Sequence, residues 1–146
     1  MMALFLSIGM TIIGPVPQSA VMHEIVAICA EEQVPPDVVL RLLRSESGMD
    51  QYAYNPDDPS YGIAQLQFKY LDFFADHFND GIPINPSDPV TSVRVAIRYL
   101  AYIHRELGGG SWYWSVIAYK TGLGRIYRAP FHIQRLAHWI TTGVYR

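Results

Sequence analysis

Val21, Ile25, Ile28 and Cys29 recur at intervals of three and four, which predicts a helix over residues 20–32. Ser19 precedes it as a candidate cap. Val34-Pro35-Pro36-Asp37 breaks the run, and Asp37 is placed to cap a second helix over 38–47 that Gly48 ends. The period is then lost. Residues 49–67 mix Gly, Pro, Asp, Asn and Ser with scattered aromatics, including Asn55-Pro56-Asp57-Asp58-Pro59-Ser60, and read as a loop or short irregular hairpin. Leu71, Phe73, Phe74 and Phe78 predict a helix over 70–78, stopped by Asp80-Gly81-Ile82-Pro83. The longest helix, over 90–107, carries Val93, Ala96, Ile97, Leu100, Ile103 and Leu107 on one stripe. Three glycines at 108–110 break it. Ser111 caps a helix over 112–120, Gly122 and Gly124 interrupt, and a last helix covers 130–142. The pattern predicts a compact, mainly α domain with one irregular insertion after the second helix.

Composition narrows the class. The chain has 146 residues, half of them hydrophobic, with 10 Tyr, 6 Phe and 3 Trp, which excludes a disordered chain. That length fits one domain. Eleven basic against thirteen acidic residues, and a pI near 6.2, argue against a generic nucleic-acid binder. A single cysteine, Cys29, excludes an intrachain disulfide framework and a Cys-rich zinc site. His23, His77, His104, His132 and His138 show no metal-ligand spacing, and the glycines at 108–110 lack the Lys-Ser/Thr of a phosphate loop. No metal or cofactor is expected.

Residues 1–19 form a separate segment ahead of the domain at 20–146. No charged side chain occurs before residue 20, and the start is nearly continuous apolar sequence. Two readings stand: an export-type signal, or an apolar arm packed on the domain. A helix over 1–13 would be about 20 Å long, too short for a bilayer core of about 30 Å. No later segment looks transmembrane.

The candidate chemistry begins at Glu46. It lies three residues from Leu43 and four from Leu42, beside the apolar face of the second helix. It also lies in the last turn, at the negative end of the helix dipole. Burial and dipole both push a carboxyl pKa upward, as a general acid in glycoside cleavage requires. The competing reading turns Glu46 to solvent, paired with Arg41 or Arg44. Downstream, Ser60-Tyr61-Gly62-Ile63-Ala64-Gln65 brings a Gly that permits close backbone approach and a Gln with donor and acceptor groups suited to sugars. Ala118-Tyr119-Lys120-Thr121-Gly122 ends a helix entered through three aromatics, and Tyr119 offers a hydroxyl to a carboxyl group.

These three elements, in this order, resemble the soluble-type lytic transglycosylases within the goose-type lysozyme-like group. The family's acid-Ser pair, Gly-Leu-Met-Gln element and Ala-Tyr-Asn-Ala-Gly element correspond to Glu46-Ser47, Gly62-Ile63-Ala64-Gln65 and Ala118-Tyr119-Lys120-Thr121-Gly122. The resemblance spans about residues 20–126 and departs at Ala64, Lys120 and Thr121. It implies an α+β lysozyme-like fold, and cleavage of peptidoglycan between N-acetylmuramic acid and N-acetylglucosamine with formation of a 1,6-anhydro ring. It implies that Glu46 is the acid/base, that Ser47 positions the acid or the substrate acetamide, that Gly62, Ile63 and Gln65 bind sugar, and that Tyr119 orients Glu46. Asp50, Asp57 and Asp58 are available as a second carboxylate, although a Pro-rich loop favours turn formation for them. Lys120 is expected away from the acid, because adjacent helical side chains diverge by about 100° and Tyr119 is taken to face it. A monomer acting in the periplasm, cell envelope or extracellular space follows. A hydrolytic muramidase, or a non-catalytic glycan-binding module of a phage particle or secretion machine, is the alternative.

Overall fold

The computed structural model describes residues 9–107 and 109–145. Helix α1 runs Gln18–Glu32 and α2 runs Pro36–Ser47. Three two-residue strands follow: β1 (Tyr54–Asn55), β2 (Ser60–Tyr61) and β3 (Leu66–Gln67). Then come α3 (Leu71–Phe78), α4 (Pro89–Glu106), α5 (Trp112–Thr121) and α6 (Phe131–Thr142). Single 3-10 segments lie at Phe68–Tyr70 and Leu123–Arg128.

The helix starts show which sequence signals carried weight. Pro35 and Pro36 open α2, because proline's fixed φ suits a first turn that has no use for its missing N–H. Asp37 therefore lies inside the first turn rather than capping it, and pairs with Arg41 at 2.7 Å. Ser19 likewise lies inside α1, which begins after Pro17 without a side-chain cap. At α5 the expected cap forms, with Ser111 accepting from the Trp114 amide, and at α4 Asp88 accepts from the Val90 and Thr91 amides.

Helix α4 is the centre of the core. Its Val93, Ile97, Leu100 and Ile103 are essentially sealed from solvent, as are Ile25 of α1, Leu42 and Leu43 of α2, and Ile117 of α5. Glu24 and Arg94, 2.7 Å apart, tie α1 to α4. Arg41 Nε donates to the Ile140 carbonyl at 2.7 Å and ties α2 to α6.

The irregular insertion is a small antiparallel sheet in the order β1-β2-β3, with Tyr61 opposite both Tyr54 and Leu66. It rests on the end of α2. Ahead of α1, the extended residues 11–16 are bonded onto the domain. Ser87 Oγ accepts from the Ile13 amide (2.8 Å), and the Gln51 side chain accepts from Val16 N–H (3.0 Å) and donates to the Gly14 carbonyl (2.9 Å). The apolar run at 1–6, on which the export-signal expectation rests, lies outside the described residues. Among the described residues, no helix is long and apolar enough to cross a membrane.

Candidate active site

Glu46 is in the last turn of α2, and Gly48 ends that helix in the left-handed conformation at φ 66°. The apolar stripe of α2 faces the core, so Glu46 beside it is drawn inward, with only 15% of its side chain exposed. The solvent-facing alternative does not form. Arg41 is engaged by Asp37 and the Ile140 carbonyl, and Arg44 is exposed elsewhere on the helix. Burial raises the Glu46 pKa above its ordinary value, and this outweighs the opposing pull of a neighbouring ammonium.

That ammonium belongs to Lys120. Its Nζ lies 2.9 Å from Glu46 Oε1, and its side chain is 11% exposed. The expectation that Lys120 stays clear of the acid is therefore wrong. A 100° divergence fixes where two Cβ atoms point, not where a flexible four-carbon stem ends. A nearly buried carboxylate is costly without a partner, and Lys120 supplies one from the last turn of α5. Among the described residues, no other side chain pairs with Glu46.

Tyr119 also approaches the acid, but its hydroxyl donates to the Ala64 carbonyl at 3.3 Å. Its ring packs 5.6 Å from that of Tyr99 on α4. Burial, and next the negative charge of Glu46, push the phenol well above its ordinary pKa, so the hydroxyl stays a donor. Tyr119 thus joins α5 to the β2–β3 turn.

The other sequence-predicted residues converge on the same turn. Ser47 Oγ donates to the Ile63 carbonyl at 2.7 Å, fastening the end of α2 to the sheet. The Gly62 amide donates to the Ala53 carbonyl at 2.8 Å. Gly62 has φ 84°, and a Cβ there would stand 2.1 Å from the Pro86 carbonyl oxygen. The close approach foreseen for this glycine is thus made to backbone. Gln65 adopts φ 50° and is held there by its own side chain. Nε2 donates to the Ala53 (3.0 Å) and Gly62 (2.9 Å) carbonyls, while Oε1 accepts from Ser60 Oγ (3.0 Å). Ile63 is buried. Ahead of β1, Asp50 accepts from the Tyr52 amide, and between β1 and β2, Asp58 accepts from Gln67 and faces Lys69 at 4.0 Å.

A cavity of about 290 Å³ opens beside this arrangement, with Val16, Gly48, Met49 and Ile63 among its walls; Glu46 is not one of them. Among the described residues, no group of three or more His, Cys, Asp or Glu side chains is placed to hold a metal ion.

A mainly α domain, a small sheet packed on the end of its second helix, and a buried acid at that end define a lysozyme-like class of protein. The transglycosylase SLT domain family matches residues 25–137, and the chain belongs to that family. Two solved structures share the fold. The 70 kDa soluble lytic transglycosylase SLT70 of Escherichia coli superimposes with a TM-score of 0.65 at 18% identity, over 83% of this chain and 21% of that one. An inactive mutant of the lytic transglycosylase Slt of Pseudomonas aeruginosa gives 0.64 at 17% identity, over 79% of this chain and 20% of that one. The present chain thus spans about a fifth of each. No curated protein sequence matches it.

Proposed function

We propose that this domain is a peptidoglycan lytic transglycosylase with Glu46 as its acid and base. The observation that carries the reading is a carboxyl group held nearly buried at the end of α2, with a raised pKa, in a chain of the SLT family. In the first step Glu46 gives its proton to the oxygen bridging N-acetylmuramic acid and N-acetylglucosamine. The C1–O bond breaks, and the acetamide oxygen of the muramoyl residue takes C1. In the second step the Glu46 carboxylate removes the proton of the muramoyl 6-hydroxyl. That oxygen attacks C1, expels the acetamide oxygen and closes the 1,6-anhydro ring. One group acting twice needs no second carboxylate, which accords with Asp50 and Asp58 bonding within the insertion.

Ser47, Gly62, Ile63 and Gln65 build the rigid turn that walls the glycan site. Tyr119 holds that turn to α5, and so keeps the wall in register with the acid. Such a domain works where peptidoglycan lies, in the periplasm or outside the cell, as a monomer and without a cofactor.

The Lys120–Glu46 pair gives one alternative a basis: an acid engaged by an ammonium suits a non-catalytic glycan-binding module. Turnover separates the two. Purified peptidoglycan is digested and the muropeptides are analysed by mass. Products ending in 1,6-anhydromuramic acid are expected. Reducing, hydrated muramoyl ends as the main product would establish a hydrolytic muramidase instead. Bound but uncut glycan would establish the binding module.

A further inference from the structure

In the family pattern the residue after the tyrosine of the third element carries a neutral amide; here it carries an ammonium on the acid itself. Lys120 Nζ bonds Glu46 Oε1 at 2.9 Å with both side chains largely shielded, so solvent screens the attraction weakly. Other charged or titratable groups nearby do not share this task. On α2 itself, Arg41 is engaged by Asp37, and Arg44 points to solvent. From α5, Tyr119 directs its hydroxyl to Ala64, with Tyr99 of α4 behind its ring. On the insertion, Asp50 is exposed and accepts from the Tyr52 amide.

We infer that Lys120 is a positioning residue of this site. Its ammonium fixes Oε1 of Glu46 and stabilises the carboxylate that the first step leaves and the second step uses, so that the enzyme works at lower pH than one with a neutral residue at this position. The inference rests on the functional reading given above. Two consequences follow from the geometry. With Oε1 engaged, Oε2 is the oxygen that exchanges protons with the glycan. Because the first step requires protonated Glu46, activity falls as pH rises through the titration of Glu46, and the ammonium places that fall earlier.

The experiment compares wild type, Lys120→Asn and Lys120→Arg, each checked for folding by circular dichroism. Lys120→Gln, which keeps most of the stem, replaces the Asn variant if that variant does not fold. Peptidoglycan clearance is followed as kcat/KM against pH. The Glu46 carboxyl is titrated in the same proteins by 13C NMR, which needs no turnover. In Lys120→Asn the alkaline fall and the NMR midpoint should both move up by about 1–3 pH units, the usual effect of removing an opposite charge within 4–6 Å. Lys120→Arg should keep both near wild type. A folded Asn variant with an unmoved fall and midpoint, while wild type clears peptidoglycan, overturns the role of Lys120 and leaves Glu46 as the acid. Wild type that clears nothing at any pH overturns the transglycosylase reading and the role of Lys120 with it.

Discussion

Gly62→Ala tests whether the glycine of the second element serves the fold. Gly62 has φ 84°, where an L-residue costs about 1–2 kcal/mol. The added Cβ would also stand 2.1 Å from the Pro86 carbonyl oxygen, a backbone atom that no rotamer change can move away. Overpacking of this kind costs about 1–3 kcal/mol. Together the variant should lose about 2–5 kcal/mol, a large part of the roughly 5–15 kcal/mol that holds a domain folded. At about 2–4 °C per kcal/mol for a chain near this size, Tm should fall by about 4–20 °C. Gly48→Ala is the control. Its φ is 66° and nothing lies within 4 Å of the added atom, so it meets the backbone cost without the collision. Its loss should be about 2–8 °C on the same scale. Melting of both variants by circular dichroism measures the difference. If Gly62→Ala melts no lower than Gly48→Ala, the contact with Pro86 is not what requires a glycine, and close approach to the glycan becomes the better reason.

Glu46→Gln should keep the fold by circular dichroism and lower peptidoglycan clearance by about 10²–10⁴-fold, the usual worth of a general acid–base; a folded variant with near-wild-type clearance would sink the assignment. Folding favours protonated Glu46, so its contribution to stability is greatest at low pH and is lost as pH rises through its elevated folded pKa; the Gln variant should show a flatter dependence of Tm on pH across that range. Ser47→Ala removes the donor to the Ile63 carbonyl and should cost about 1–3 kcal/mol, read as a lower urea midpoint at unchanged slope; an unchanged midpoint would mean that this bond does not fasten α2 to the sheet. Cys29 is buried, with its thiol pushed up to about 11, so it should resist thiol reagents at mildly alkaline pH until the chain is unfolded; rapid labelling of folded protein would contradict its place in the core.

The sequence by itself determined the helices. The stripe of α4 from Val93 to Ile103 repeats every three or four residues, and that period has one solution: a helix with those residues inward. Gly48 and Ser111 marked helix ends through local backbone chemistry, which needs no tertiary partner. The spacing of Glu46 from Leu42 and Leu43 set it beside the apolar face, while the solvent-facing alternative was closed only by the packed structure. The three short elements and their order were enough to indicate the family. What the sequence left undecided depended on long-range contacts. Strands of two residues carry too little pattern to be read, and the sheet exists because Gln65, Gly62 and Ser60 bond one another across a turn. Gly62 announced a close approach but not its partner, because Pro86 is far along the chain. Lys120 stands 74 positions from Glu46, and local geometry alone turned it away from the acid. Only the packing of α5 against the rest of the domain set its stem where a nearly buried carboxylate needed a counter-charge, and a long flexible side chain takes its final direction from that need.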